Sequence, residues 1–284
     1  MRRIRTLYAA LLVVAALLTA SVAAHALTPV GAQIGTNAQG NGIYRVQANG
    51  IEIAYKLLGS GEPLVLIAGL GQTMEQWPAP VIDLLAKQYQ LILLDNRGMG
   101  STTVNDAPFD YKLFAGDVVG LLDALGIAKA DVLGYSLGST ITQELLYAYP
   151  ERVNKAVVYA TTVDGSNVAK VLDSFKGSNP VIRRYLEATA QWKTPLEKLP
   201  GIVSPVLFVV GTADTVVGVE SSKRLATTLP GAWLAQFPNA THRLMYEVPV
   251  PFAQTVLTFL NVDATVAPKG ATTDGGPTAR QEQP

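Results

Sequence analysis

A handful of short segments carry the side chains in this chain that could do chemistry. Gly134-Tyr135-Ser136-Leu137-Gly138 sets a hydroxyl between two glycines. A serine hydroxyl needs a base to become nucleophilic near neutral pH. The chain has two histidines, His25 and His242, and no cysteine. His242 stands in Asn239-Ala240-Thr241-His242-Arg243, a polar turn suited to present an imidazole. A carboxylate is then needed to orient that ring. Asp214, in Gly211-Thr212-Ala213-Asp214, is the first candidate and Asp164 the alternative acid. Attack on an acyl carbon also builds an oxyanion, which backbone amides must hold. The amide of Leu137 follows the serine directly, and Leu70 lies in the glycine-rich stretch Ala68-Gly69-Leu70-Gly71-Gln72. Gln72, Trp77 and Tyr135 are candidate pocket residues. The chemistry such a set supports is acyl transfer through a serine-bound intermediate, with no cofactor and no metal.

The composition narrows the field in the same direction. Without cysteine there is no thiol nucleophile, disulfide scaffold, Fe–S cluster or Cys-type zinc site, and two histidines leave little for a His-rich metal centre. The formal net charge is zero and charged residues make up 15%, so bulk charge gives no reason to expect a nucleic-acid partner. Hydrophobic residues at 49% of 284 are ample for a core.

The elements that must position these residues are legible as alternating patterns. Residues 43–48 and 51–58, joined by Asn49-Gly50, read as a hairpin. Apolar runs at 63–68, 91–95, 131–135, 155–160, 205–210 and 232–237 read as strands. Helical patterns at 81–88, 111–125, 137–149, 220–229 and 252–260 fall between or after them. Continuous Val/Ile/Leu runs separated by amphipathic helices predict an α/β domain, a mostly parallel sheet covered by helices on both faces. Ligands in such sheets bind at the carboxyl ends of the strands. Ser136, Asp214 and His242 all follow strands. The interval 162–204 adds no strand and holds two helical patterns, 168–175 and 180–192, so it is expected to form a short helical lid. Arg97, in Asp95-Asn96-Arg97-Gly98-Met99-Gly100, is expected to brace neighbouring loops through its forked donors.

The ends read differently. Arg2, Arg3 and Arg5, an apolar run, and Ala24-His25-Ala26 make residues 1–26 a secretory signal peptide with a cleavage site. An uncleaved anchor is the alternative, since the run approaches the ~20 residues that span a bilayer. Cleavage would leave His242 as the one histidine and 19 basic residues against 22 acidic. The protein is therefore expected to be periplasmic or secreted, with membrane contact only if the segment stays on. Residues 27–42 read as a flexible leader, 43–261 as the folded domain, and the Gly/Thr/Pro/Gln-rich residues 262–284 as a disordered tail.

Taken together, "LLDALGIAKADVLGYSLGSTITQELLYAYPERVNKAVVYA" (121–160), "LLDNRGMGST" and "GTADTVV" resemble signatures of the α/β-hydrolase superfamily. The likeness is nearest to its esterase, haloperoxidase-like and prolyl-aminopeptidase-like members. The resemblance implies Ser136 as nucleophile, His242 as base, Asp214 as acid, and the Leu70 and Leu137 amides as the oxyanion hole. It implies a small-molecule ester substrate, with proline amides, carbon–carbon bonds, perhydrolysis or ligand binding without turnover as alternatives. Many relatives carry His-Gly where this chain has Ala68-Gly69, and many have a longer lid.

Overall fold

The computed structural model describes residues 26–175, 177 and 179–262. The signal peptide expected over 1–26 and the tail expected over 262–284 lie, but for one residue each, outside the described residues.

Among the described residues nine strands form one sheet: β1 (Ala32–Thr36), β2 (Gly42–Ala48), β3 (Ile51–Leu58), β4 (Glu62–Ile67), β5 (Tyr89–Leu94), β6 (Ala130–Tyr135), β7 (Val153–Tyr159), β8 (Val206–Gly211) and β9 (Trp233–Phe237). Their spatial order is β1-β2-β3-β5-β4-β6-β7-β8-β9. The first three strands are antiparallel, as a two-residue Asn49-Gly50 turn requires, and β5 through β9 are parallel. The α-helices among the described residues are α1 (Ala79–Leu85), α2 (Tyr111–Ala124), α3 (Leu137–Ala148), α4 (Ser166–Val171), α5 (Pro180–Gln191), α6 (Val219–Thr228), α7 (Leu244–Glu247) and α8 (Pro249–Leu260).

Alternation along the buried strands sends side chains to two cores. Val65, Ile67, Val132, Ala156 and Val158 face the core under α2 and α3. Leu64, Leu66, Leu133, Val157 and Tyr159 face the one under α1 and α8. This is why the strands read as unbroken apolar runs rather than alternating ones. No helix among the described residues is long and apolar enough to cross a membrane.

One stretch needs correction. The residues read as a flexible leader, 27–42, contain strand β1, which pairs with β2 along the sheet edge. Every side chain of β1 is exposed, so no hydrophobic pattern marked it. Its entry is fixed by partners distant in sequence. The Leu27 amide donates to Gln90 (2.9 Å), and the Val30 amide and carbonyl both bond the Tyr55 hydroxyl (2.7 Å each).

The interval 162–204 holds α4 and α5 and adds no strand to the sheet. Its base is closed by the Thr194 amide on the Val163 carbonyl (2.9 Å) and the Gly165 amide on that of Trp192 (2.9 Å). Buried Gln143 of α3 clamps both ends, donating to Thr161 (2.6 Å) and accepting from Thr194 (2.9 Å). Arg97 is a buried brace. It pairs with Asp117 and donates to Asn105 (2.8 Å) and the Asn49 carbonyl (3.1 Å), while its own carbonyl accepts from Tyr185 of α5 (2.9 Å).

Candidate active site

Ser136 sits where β6 turns into α3, with φ 52° and ψ −115°. A non-glycine residue held there costs on the order of 1–3 kcal/mol, so the surroundings must over-determine it. The Ser136 amide donates to the Tyr159 carbonyl of the neighbouring strand (3.0 Å), and the Ser139 amide and hydroxyl both donate to the Ser136 carbonyl (2.9 and 2.6 Å). The glycines are sterically required. A Cβ on Gly134 would stand 2.2 Å from the Gly138 carbonyl oxygen, and one on Gly138 would stand 2.1 Å from that of Ile67.

His242 follows β9 in the loop before α7, with Nε2 2.9 Å from Ser136 Oγ and Nδ1 2.8 Å from Asp214 Oδ2. The other carboxylate oxygen of Asp214 accepts the amides of Val216 (2.9 Å) and Val217 (3.1 Å). Burial pushes the Asp214 carboxyl up. The hydrogen bond and charge of His242, with the two amides, outweigh it and hold the group below the usual carboxylate range. An ionised carboxylate only accepts, so it fixes a proton on Nδ1 and leaves the Nε2 lone pair facing the serine. The arrangement can therefore take a proton from Ser136 and pass it to a leaving group.

The histidine loop is itself anchored. The Ala213 amide donates to the Ala240 carbonyl (2.9 Å), tying the aspartate and histidine loops together. Fully buried Tyr159, the last residue of β7, donates its hydroxyl to the His242 carbonyl (2.8 Å) and accepts the Met245 amide (3.2 Å). Glu247 accepts the Thr241 amide (2.9 Å) and its hydroxyl. Tyr159 was not singled out from the sequence, because a tyrosine ending an apolar strand looks like any other core residue.

Leu137 is the first residue of α3, and the first amides of a helix have no intrahelical acceptor. Leu70 lies opposite, in a turn closed by the Gln72 amide on the Gly69 carbonyl (3.2 Å). Both line the same cavity as Ser136. Two buried residues after β5 support that turn. Asn96 donates to the Ala68 carbonyl (2.9 Å), and Asp95 accepts the Met74 amide (2.8 Å).

The cavity beside Ser136 measures about 580 Å³. Leu70, Leu137, Leu186, Val168, Val216 and Val217 form its apolar walls, with Tyr111, Thr140 and Thr189 among them and Asp164 and Lys170 also lining it. The expected pocket residues lie elsewhere. Gln72 supports the Leu70 turn, accepting the Gly69 amide (3.2 Å) and donating to the Tyr246 hydroxyl (3.1 Å). Trp77 is buried in the core under α1 and α8, where its apolar area counts most. Tyr135 packs behind His242, its ring stacked on Tyr159 (4.8 Å, 22°) and tilted to the imidazole (5.3 Å). None of the three lines the cavity: Trp77 and Tyr135 are buried in the second core, and Gln72 is spent on the Leu70 turn and Tyr246. Asp164 does line it but is turned to the Ser166 amide (2.9 Å), and Asp214 occupies the position beside Nδ1. Among the described residues no group of three or more His, Asp or Glu side chains could hold a metal ion.

Residues 62–177 match the model of the alpha/beta hydrolase fold family. BpoC of Mycobacterium tuberculosis, provisionally named a non-heme bromoperoxidase, is 30% identical over 261 residues, covering 74% of this chain and 97% of its own length. A 2-hydroxy-6-oxo-6-(2'-aminophenyl)hexa-2,4-dienoic acid hydrolase of Metapseudomonas resinovorans is 26% identical, covering 78% and 91%. The crystal structure of a hydrolase from Pseudomonas aeruginosa superposes with a TM-score of 0.65 at 25% identity, covering 80% of this chain and all of that one.

Proposed function

The chain belongs to the α/β-hydrolase family, and from that premise we propose that it is an exported serine hydrolase cleaving carboxylic esters of small molecules. The observation that carries the reading is the unbroken relay Ser136–His242–Asp214, at 2.9 and 2.8 Å, opening on a largely apolar cavity. Ser136 Oγ attacks the acyl carbon while His242 Nε2 takes its proton. The amides of Leu70 and Leu137 receive the oxyanion, each such donor being worth ~3 kcal/mol. His242 then gives the proton to the departing alkoxide. A water molecule, deprotonated by the same nitrogen, frees the acid and restores Ser136.

Replacing Ser136 with alanine is expected to lower turnover of p-nitrophenyl butyrate by about 10⁴-fold or more in the purified protein. Turnover equal to wild type in that variant would remove the assignment. A second reading keeps the intermediate and changes the acceptor, and the likeness to BpoC favours it. Hydrogen peroxide attacking the acyl-enzyme in place of water would release a peracid, which oxidises bromide. Bromination of a reporter in acetate, bromide and peroxide, abolished by the same alanine, supports this activity, and its absence removes it. Export rests on residues 1–26. N-terminal sequencing of protein from the producing cell should begin at Leu27, whereas a membrane-bound chain retaining the segment would overturn export.

A further inference from the structure

Three hydroxyl-bearing side chains meet in the wall of the cavity. Tyr111 opens α2, Thr140 lies one turn beyond Ser136 in α3, and Thr189 sits near the end of α5. Tyr111 is 3% and Thr140 2% exposed, so bulk water does not account for these polar atoms. The Tyr111 ring is held against Trp192 (4.8 Å) and Phe114 (5.6 Å), which fixes where its hydroxyl points.

Counting protons gives this group a direction. The Thr189 hydroxyl donates to the Tyr185 carbonyl at 2.7 Å, and a carbonyl can only accept. Its single proton is then committed. In the 2.8 Å contact between Tyr111 and Thr189, the tyrosine must therefore be the donor. That commits the tyrosine proton too and leaves its oxygen an acceptor, on the cavity wall it shares with Thr140. Thr140 lines the same wall, and its hydroxyl can both donate to and accept from whatever occupies the cavity. The chain Tyr111, Thr189, Tyr185 thus runs one way, with its accepting end, the tyrosine oxygen, at the cavity wall.

We propose that Tyr111 and Thr140 form a hydroxyl subsite that recognises a hydrogen-bond donor on the acyl group, making esters of hydroxy acids the preferred substrates. The inference rests on the ester-hydrolase reading and names its substrate class. His242 must reach the leaving alkoxide, so the alcohol lies on the side of β9 and the wall formed by α2 and α3 is left to the acyl chain. Thr140 stands one helical turn, ~5.4 Å, along α3 from Ser136. That reach suits a hydroxyl on the third or fourth carbon of the acid.

A purely structural role competes with this one, because the Tyr111–Thr189 bond also joins α2 to the inserted helix α5. The test compares kcat/KM for p-nitrophenyl 3-hydroxybutyrate and p-nitrophenyl butyrate. Wild type should prefer the hydroxy ester by about tenfold, the worth of one hydrogen bond. Tyr111→Phe and, separately, Thr140→Val should bring that ratio close to one. Equal rates on the two esters in wild type, which needs no variant, would overturn the subsite and leave the esterase reading standing. A ratio preserved in both variants while their Tm falls would show a structural tie and overturn it as well. Wild type inactive on both esters would remove the esterase reading and the subsite together.

Discussion

Asp214 and Asp131 are buried to the same degree, at 5% and 4% exposure, yet they sit at opposite rims of the sheet and behave in opposite ways. Asp214 follows the carboxyl end of β8, and its carboxyl is held below the usual range. Asp131 lies at the amino end of β6, and burial pushes it up from the usual 3.8 to about 6, against donors from Asn154 (2.8 Å) and the Lys155 amide (3.0 Å). Asp131 is embedded more deeply among protein atoms, and the groups that bond its carboxylate are neutral amides. Asp214 faces the His242 imidazole, which the proposed proton transfer makes cationic. The charge of Lys155 lowers Asp131 in part, although its ammonium bonds the Leu260 and Val262 carbonyls at the end of α8, and Glu62 adds a like charge that opposes it. Burial alone therefore does not set a carboxylate's state. The carboxyl-end rim is arranged to keep a charge, and the amino-end rim only tolerates one.

The largest effect expected from this contrast is at Asp214. In Asp214→Asn the side-chain amide can donate to Nδ1, which places the histidine proton on Nε2 and removes the base. Turnover of p-nitrophenyl butyrate should fall by about 10⁴-fold. A loss smaller than tenfold would mean that the carboxylate at the active rim matters no more than the one at the other.

The next effect is on stability, and its sign is opposite at the two rims. Asp131 has a raised carboxyl in the folded state, so its contribution is complete below the unfolded value near 4 and is lost as pH rises through about 6. The full shift corresponds to about 3 kcal/mol. An asparagine keeps the acceptor for Asn154 and Lys155 but buries a new N–H, which takes part of that back. Asp131→Asn should therefore gain about 1–2 kcal/mol at pH 8 and nothing at pH 4, read as Tm across that range. Asp214 has a lowered carboxyl, whose contribution is present above the unfolded value and lost as pH falls through the folded one, so Asp214→Asn should lower Tm at pH 8. Movement of both variants in the same direction at pH 8 would break the comparison.

What could be read from the chain follows the same division. Ser136 and Asp214 were legible because each follows a buried strand with a continuous apolar run, and because the glycines around Ser136 admit few other structures; His242 was legible because the chain offers so few histidines and this one stands in a turn after the last strand. The strands of the parallel sheet were legible for the reason that makes them buried, continuous Val/Ile/Leu on both faces. Strand β1 was not, since it is an exposed edge fixed by Gln90 and Tyr55 rather than by its own pattern. The cavity wall was not legible either. Trp77 and Tyr135 have the size and chemistry of pocket residues, and only the strand and loop directions send them to the core. Tyr111, Thr140 and Thr189 reach the cavity from three separate helices, a meeting that no local spacing announces.

The smallest effect expected is at Tyr159, and it tests how the active rim maintains its geometry. The Tyr159 carbonyl accepts the Ser136 amide, and its hydroxyl holds the His242 carbonyl. One residue of β7 thus touches the backbone of both partners in the proposed proton transfer while bonding neither Ser136 Oγ nor the imidazole nitrogens. Tyr159→Phe keeps the ring on Tyr135 and Phe252 and deletes the hydroxyl, with its tie to the His242 carbonyl and the acceptor it offers the Met245 amide. Freed of it, His242 should spend less time within reach of Ser136, lowering kcat by about tenfold, ~1.4 kcal/mol, with KM within twofold. The proton resonance of the His242–Asp214 hydrogen bond, readable in a chain with two histidines, should broaden or shift. A variant that loses thermal stability but keeps kcat and that resonance would show the hydroxyl to be a packing tie, and the active rim to hold its histidine without it.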